Sequence, residues 1–325
     1  MRYILAVDHG NGNVKTELEA FPCGYKEQET KPSDLLTNDI LEFGGKFFSL
    51  SPNRASYKLD KTVSDDCWIF TLFALGKQIK AEVQKGVQDF DWNRDFEGFE
   101  CDELVLAVGL PPAHFEKKKE NFKQYFLDHG KDWVEFTYNG KPFRFKLAVV
   151  HVFPQAYAAV MIYRESWIKK YSKIYCIDIG DGTVDLLAIQ QHGSLDREII
   201  VSRELGMSRL REKIIDDVIN DYNMTLESSV IEDILTPGKV VLAPDEIINR
   251  VKQETALWAT KIVDQLHTKV PDFHFAPTIF LGGGSKLLRP FLEQTGMFGV
   301  TDFISDIHAN AVGYLEIAKI FEEDR

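Results

Sequence analysis

The sequence predicts an α/β protein made of two related domains, and three observations favour this fold class. The chain has 325 residues, which is long for one compact core and suits two domains. A glycine-rich turn occurs twice, as DHGNGNV at residues 8–14 and as DIGDGTV at residues 178–184. The elements after each copy follow a similar order of hairpin, strand, helix, strand and helix, which indicates a duplicated unit.

Both copies of the turn lie between two apolar runs. Residues 3–7 precede the first copy and residues 174–177 precede the second. Each copy therefore predicts a β-hairpin that is closed by a glycine-rich turn. The glycines let backbone N–H groups approach an anion closely, and the leading Asp8 and Asp178 can hold a cation beside it. The pair predicts a nucleoside triphosphate and its metal held between two related domains.

The duplication makes this signal specific. A single Asp-x-Gly-x-Gly turn is weak evidence, because tight turns commonly recruit Asp and Gly. Here both copies share Asp, Gly, Gly and Val at identical offsets. Neither copy is a Walker P-loop, since no Gly-Lys-Ser/Thr follows, and neither is a dinucleotide fingerprint, since the third glycine is missing and a strand follows.

The composition of the chain indicates which kinds of partner and which cellular compartment to expect. Apolar residues make up 44% of the chain and the net charge is −12, so the sequence predicts a folded protein that does not bind nucleic acid directly. No apolar run approaches the roughly 18 to 20 residues that span a bilayer, and no signal peptide is evident, so we expect a cytoplasmic protein without a membrane partner. The four scattered cysteines lack metal-site or redox-motif spacing and are expected to be reduced thiols.

The remaining pattern predicts the other elements and the domain limits. We expect a helix over residues 67–83, a strand over 103–108, a helix over 113–129, a hairpin over 133–152 that turns at Asn139-Gly140, and a helix from Pro154 to about Tyr171. Further helices are expected over 206–222, 244–267 and 309–322. The first domain would span 1–165, with an inserted subdomain at about 30–100, and the helix at 305–325 would complete it. The second domain would span 166–304. The acidic and aromatic segment 89–96 is interpreted as either a protein contact or a solvated loop.

These motifs resemble a known superfamily, the actin-like ATPases. The resemblance is carried by the two hairpins, by Pro154-Gln155-Ala156, and by a strand that runs into Gly282-Gly283-Gly284-Ser285. Motif order matches along nearly the whole chain. The length, the lack of appended domains and the turn Leu110-Pro111-Pro112 look most like the bacterial ParM-type plasmid-segregation actins. The resemblance implies two actin-like (ribonuclease H-like) domains flanking a nucleotide cleft.

The resemblance also implies roles for residues of the first domain. Asp8 would hold Mg²⁺ through its water shell, and Lys15 would contact the phosphates. Gln155 would orient the attacking water, because phosphoryl transfer needs positioning more than early proton abstraction. Backbone N–H groups that would bind the β- and γ-phosphates belong to Gly10, Asn11, Gly12 and Asn13.

In the second domain, Asp178 would be the second carboxylate on the metal side and would share the catalytic role. The second phosphate clamp would comprise Gly180, Asp181, Gly182 and Thr183. Gly206 and Lys252 would lie near the ribose. The adenine and α-phosphate would lie against backbone at a helix N-terminus formed by Gly282, Gly283, Gly284 and Ser285.

The resemblance therefore implies a filament-forming ATPase that hydrolyses ATP after assembly and drives plasmid or DNA segregation through a DNA-binding adaptor. Two alternatives remain open at this point. One is a small-molecule phosphotransferase of the same superfamily, and the other is a cell-shape or other cytoskeletal actin homologue. The sequence does not distinguish ATP from GTP.

Overall fold

The computed structural model describes residues 2–32, 39–52, 61–86 and 90–323. The chain divides into two compact units. The first unit comprises Met1–Ile162 and His308–Arg325, and the second comprises Tyr163–Ile307.

The N-terminal stretch of the first unit begins with strands, and its helices follow from residue 66 onward. Its elements are β1 (Arg2–His9), β2 (Asn13–Lys15), β3 (Ala20–Pro22), β4 (Tyr25–Gln28), β5 (Ile40–Phe43), β6 (Lys46–Leu50), α1 (Asp66–Gly86), α2 (Trp92–Asp95), β7 (Phe99–Leu110), α3 (Pro112–His129), β8 (Trp133–Tyr138), β9 (Lys141–Pro154) and α4 (Tyr157–Tyr163).

In the second unit three strands come in succession, and three helices then separate the third strand from the fourth. Its elements are α5 (Glu165–Lys170), β10 (Lys173–Ile179), β11 (Val184–Gln190), β12 (Leu195–Arg203), α6 (Met207–Tyr222), α7 (Ser228–Leu235), α8 (Asp245–His267), β13 (Thr278–Leu281), α9 (Gly283–Gln294) and β14 (Thr301–Phe303). The last helix, α10 (Ala309–Glu323), belongs to the first unit.

Strand order shows the duplication directly. The first sheet has nine strands in the order β3-β2-β1-β7-β9-β8-β5-β6-β4, and the second has five in the order β12-β11-β10-β13-β14. In the first sheet β3, β2 and β1 are antiparallel neighbours, and β7 and β9 then run parallel to β1. In the second sheet β12, β11 and β10 are antiparallel neighbours, and β13 and β14 then run parallel to β10. The predicted α/β class with two related halves is confirmed.

Each unit has its own apolar core, because the parallel strands are covered on both faces and carry continuous apolar runs. Leu5 and Val7 of β1 pack in one core with Trp68 and Phe73 of α1. In the second unit Ile177 of β10 packs with the helices α6 and α8. Strands β5 and β6 and helix α1, from the stretch predicted as an inserted subdomain, extend the first sheet and its core.

The predicted hairpin at residues 133–152 is confirmed. Asn139 and Gly140 join β8 to β9 with φ angles of 49° and 73°. Two positive φ values are what a two-residue type I′ turn requires, and Asn-Gly is its preferred pair.

The predicted helix from Pro154 to Tyr171 is wrong. Pro154 ends β9, and the helical residues form two short helices, α4 and α5, separated at Arg164 with φ −133° and ψ 32°. Ala156 has a φ of 66°, outside the helical region, so a continuous helix cannot start before it. Its amide donates to Asn310 Oδ1 at 2.9 Å, a tertiary contact that the local pattern does not contain.

The interpretation of segment 89–96 as a solvated or contact loop is also wrong for Trp92 and Phe96. Trp92 and Phe96 are buried and stack with ring centroids 4.2 Å apart, beside Phe143 and Tyr138. Asp91 caps the short helix α2 by accepting from the amides of Asn93 and Arg94 at 2.9 Å. Residue 89 lies outside the described residues.

Candidate functional site

The first glycine-rich turn joins β1 to β2, in the register Asp8 to Lys15 and His9 to Val14. Its backbone is fixed by two hydrogen bonds, from Gly10 N to Asp8 O at 2.9 Å and from Cys23 N to Gly12 O at 3.1 Å. A Cβ on Gly10 would lie 2.6 Å from Asn13 O, so glycine is needed for this close approach. Within the described residues, the N–H groups of Asn11 and Gly12 donate to no acceptor. They are available to an anion.

Three of the predicted site residues meet beside this turn. Asp8 is buried, with 3% of its surface exposed. Its Oδ1 accepts a hydrogen bond from Gln155 Nε2 at 3.0 Å, and Lys15 Nζ lies 3.7 Å from its Oδ2. Gln155 lies in the link between β9 and α4, where its amide donates to Leu110 O at 2.8 Å. A carboxylate, an amide and an ammonium therefore converge at the start of the turn.

Sequence reasoning missed a second set of contacts at the same turn. His9 is buried, and burial, with Lys61 as a smaller cause, lowers its pKa to about 3. Its Nε2 lies 2.9 Å from Thr71 Oγ1, whose hydroxyl donates to Cys67 O, so we assign the ring proton to Nε2. Lys61 Nζ donates to the carbonyl of His9. The sequence offers one signal for these contacts, which is the histidine at the second position of the glycine-rich motif DHGNGNV.

The second glycine-rich turn joins β10 to β11 and is held from α6. The register is Asp178 to Asp185, and Gly180 N donates to Thr183 O at 2.9 Å. The first amides of α6 donate hydrogen bonds to carbonyls of the turn. Met207 N donates to Gly180 O at 3.1 Å, and Ser208 N donates to Asp181 O at 2.8 Å.

Gly206, just before α6, packs directly on this turn. Its amide donates to Gly182 O at 3.3 Å, and a Cβ there would lie 2.3 Å from Asp181 O. The N–H groups of Gly182 and Thr183 donate to no acceptor in the part of the chain that the structure describes. As in the first turn, two backbone donors are left for an anion.

The acidic residues of the second turn have specific partners. Asp178 is buried with 8% exposed, and the Cβ-free Gly282 lies against it. Asp181 forms an ion pair with Arg211, which is itself buried. Thr183 Oγ1 donates to Asp185 Oδ2 at 2.8 Å. Arg211 was not identified from the sequence, since nothing local marks a helical arginine as a partner of this turn.

The run Gly282–Ser285 begins α9, as the sequence predicts, but its members differ. Gly282 has a φ of 85°, and Gly284 packs so closely on Ile179 that a Cβ would lie 2.6 Å from its Cγ2. Ser285 is buried and its hydroxyl donates to Gly282 O at 2.8 Å. At Gly283 the position that a Cβ would occupy is open, with no heavy atom within 4 Å. Of these four residues, Gly283 is the one with room for a ligand beside it.

Lys252 lies on the exposed side of α8. No hydrogen bond or ion pair among the described residues joins it to the second turn. Its place near a ribose stays a prediction.

The residues at the two turns suit a metal that is bound mainly through phosphates. Among the described residues, no group of three or more His, Cys, Asp or Glu side chains could hold a metal ion. Mg²⁺ in nucleotide sites usually takes one or two carboxylates and completes its shell with water and phosphate oxygens. Asp8 and Asp178, each buried at the start of a turn with unbonded amides, fit that role.

No helix in the described ranges is both long and apolar enough to cross a membrane. A search of curated protein sequences finds no significant match to the chain.

Solved structures share the fold over the full chain. An archaeal actin homologue in complex with ADP superposes with a TM-score of 0.72 at 17% identity, covering 98% of this chain and 99% of its own. A ParM filament from Clostridium botulinum gives 0.71 at 18%, covering 98% and 99%. The actin-like protein Alp7A gives 0.73 at 14%, covering 100% and 98%. At these identities the likeness establishes the fold.

Two family models also match the sequence. The N-terminal domain of actin like proteins matches residues 6–157, and the C-terminal domain of the archaeal actin homologue MreB-like matches residues 176–294. The two matches contain the two glycine-rich turns. Together with the fold, they identify the chain as a member of the actin-like superfamily, with ParM filament proteins among its structural relatives.

Proposed function

We propose that this protein binds ATP with Mg²⁺ at its two glycine-rich turns, assembles into filaments in response, and hydrolyses the ATP after assembly. The observation that carries the proposal is the repeated arrangement of a buried aspartate beside two unbonded backbone N–H groups, at residues 8–12 and 178–183. Such amides bind phosphate oxygens, and the aspartates can face a phosphate-bound cation. A structural relative was crystallised with ADP, which supports a nucleotide as the ligand.

Gln155 is the residue that we assign to water positioning. Its amide donates to Asp8 at 3.0 Å, so the side chain is held next to the carboxylate that would face the hydrated metal. An amide can donate to that carboxylate and still accept from a water molecule through its oxygen. Phosphoryl transfer is accelerated mainly by such positioning and by charge stabilisation, to which Lys15 contributes a cation.

The ParM relatives support assembly, since one of them was solved as a filament. A contact between different surfaces of identical subunits that does not close into a ring continues as a filament. To shift the subunits from 1:99 to 99:1 in favour of the assembling state, ATP needs about 5.5 kcal/mol of differential binding. We propose that the filament moves plasmid or other DNA through a DNA-binding adaptor, since the net charge of −12 opposes direct DNA contact. The four free thiols support a cytoplasmic location.

The test is sedimentation and light scattering of the purified protein with Mg-ATP, Mg-GTP, Mg-ADP, or ATP and EDTA, with phosphate release followed in parallel. We expect reversible assembly with a Mg-nucleoside triphosphate and disassembly as phosphate is released. Full turnover in EDTA would contradict the role of the metal. Turnover that requires an added hydroxyl compound, without assembly, would indicate a phosphotransferase instead.

Two variants separate binding from hydrolysis. Asp8→Ala is expected to lose nucleotide binding and assembly together. Gln155→Ala is expected to bind and assemble normally but to hydrolyse ATP about 100-fold more slowly, so its filaments should persist. Unchanged turnover in Gln155→Ala would remove this residue from the mechanism.

A further inference from the structure

The two ends of helix α8 carry apolar side chains that lie almost entirely in water. The loop before α8, residues 236–244, exposes 91% of Val240 and 101% of Leu242, and the segment after α8 exposes 86% of Phe275. Of the large apolar side chains that the structure describes, these three are the most exposed. We call residues 236–244 the leading loop. Side chains this exposed gain the most free energy when another surface covers them.

Phe275 adjoins a second exposed apolar segment. Met297 and Val300 lie in the loop between α9 and β14, and both are exposed. The two segments share a parallel bridge, and a Cβ on Gly299 would lie 2.9 Å from His274 O. Phe275, Met297 and Val300 therefore belong to adjoining segments, and we call these three residues the trailing patch.

Helix α8 separates the leading loop from the trailing patch. It spans Asp245–His267, and its 23 residues give it a length of about 34 Å. The leading loop directly precedes this helix and the Phe275 segment directly follows it, so the two apolar surfaces lie towards opposite ends of α8. A contact between two unlike surfaces of identical subunits leaves one of each surface free, so further subunits can add in a row.

The charges beside the two surfaces are complementary. Asp245 and Glu246 follow the leading loop, Lys269 precedes the trailing patch, and all three side chains are exposed. Within the described ranges no ion pair involves any of these three residues. The other ionisable residues of the two segments pair locally, as Lys239 with Asp233 and His274 with Asp272. The leading end is therefore acidic and the trailing end basic, which favours contact between the two and disfavours contact between like ends.

We propose that the leading loop of one subunit packs on the trailing patch of the next, and that this is a contact along which the subunits assemble. The occupant of each surface is a second copy of this chain. Leu242 and Phe275 are the apolar anchors, and Lys269 faces the acidic start of α8 in the neighbouring subunit. The inference rests on the proposed function, since it supplies a contact for the assembly proposed there.

The first test replaces one apolar anchor at a time in the full-length protein. Leu242→Asp and Phe275→Asp should each raise the protein concentration needed for sedimentation with Mg-ATP at least about 10-fold, because each loses a buried anchor of the contact. Leu257→Asp is the matched control, since Leu257 is an exposed leucine midway along α8 and belongs to neither surface. It should stay within about 2-fold of the unaltered protein.

The second test reverses the charges. Lys269→Glu, and separately Asp245→Lys with Glu246→Lys, should each raise the concentration needed for assembly about 10-fold, because like charges then meet in the contact. All three substitutions in one chain should restore assembly to within about 3-fold of the unaltered protein. Each reversal also opposes the dipole of α8 at its own end, so an effect confined to one chain would be worse in the triple variant, not repaired.

The outcomes separate the inference from the proposed function. If the unaltered protein does not assemble with Mg-ATP, the proposed assembly fails and the inference fails with it. If the unaltered protein assembles, normal assembly of Leu242→Asp and Phe275→Asp overturns the inference alone, as does a loss of assembly in Leu257→Asp equal to theirs. If either anchor variant does not fold, the charge reversals still decide: rescue in the triple variant supports the contact, and no rescue overturns it.

Discussion

Gly282 gives the sharpest test of how the second turn is built. It lies between β13 and α9 with φ 85° and ψ 157°, a region of backbone conformation that only glycine adopts readily. A Cβ at this position would lie 2.2 Å from Asp178 Oδ1 and 2.6 Å from Ile179 O. The variant Gly282→Ala therefore combines backbone strain with two steric overlaps.

The expected cost can be worked from these two terms. A non-glycine residue in such a conformation costs roughly 1–3 kcal/mol. The overlap with Asp178 can be relieved by moving a side chain, but the overlap with the Ile179 carbonyl requires a backbone shift in β10, and overpacking of this kind costs about 1–3 kcal/mol. We expect Gly282→Ala to lower the unfolding free energy of the second unit by about 2–6 kcal/mol. Because Asp178 is displaced, Mg-ATP binding should weaken as well.

The next residue provides the control. A Cβ on Gly283 would meet no atom within 4 Å, so Gly283→Ala should change stability by less than about 1 kcal/mol. Hydrogen exchange of the β10 and β13 amides, followed by mass spectrometry, reports the stability of the second unit separately from the first. Equal exchange rates in Gly282→Ala and Gly283→Ala would refute the reasoning.

Three further predictions concern the first unit. Gly313→Ala would place a Cβ 2.5 Å from the backbone carbon of Ala158, where α10 crosses α4, and should lower the unfolding free energy in urea by about 1–3 kcal/mol. Asn310→Ala leaves the buried amide of Ala156 without its acceptor and should cost about 1–3 kcal/mol in the same assay, whereas no loss would show that the bond is dispensable. The pKa of His9 is about 3 in the folded chain, below its unfolded value of about 6.5, so the unfolded state binds more protons as pH falls. Between pH 7 and 5 this should remove about 2 kcal/mol of stability, a loss that His9→Gln should lack and that urea titrations at both pH values would reveal.

The sequence predicted the fold class because its strongest signals are local. Alternation of apolar runs with Gly-rich or Asn-Gly turns fixes strands and hairpins within a few residues, as at Asn139-Gly140. The predicted helix at Pro154 failed because the conformation of Ala156 depends on Asn310, a residue 154 positions away. The buried stack of Trp92 and Phe96 likewise depends on distant strands.

The same limit explains what the sequence omitted from the candidate site. The motif predicted which turns to consider, and the roles of their residues stay predictions. Arg211 approaches Asp181 from 30 residues further along, and Lys61 approaches the carbonyl of His9 from 52 residues away. A cationic side chain that reaches a turn from another element has no fixed sequence separation from that turn. A local sequence motif therefore cannot include such a residue.

The sheet explains why residues so far apart in sequence meet. Strands β1, β7 and β9 run parallel in the register Val7 to Val108 to Val152, so Asp8, near the end of β1, and Gln155, directly after β9, lie at the same edge of the sheet. In the second sheet Asp178 pairs with Leu281, which places Gly282 beside its carboxylate. Ligand-binding residues of α/β proteins gather at the carboxyl ends of parallel strands for this reason. This arrangement depends on the register of the apolar strands and on a few residues at the ends of those strands. Relatives at 14–18% identity can therefore retain the fold, with TM-scores of 0.71–0.73.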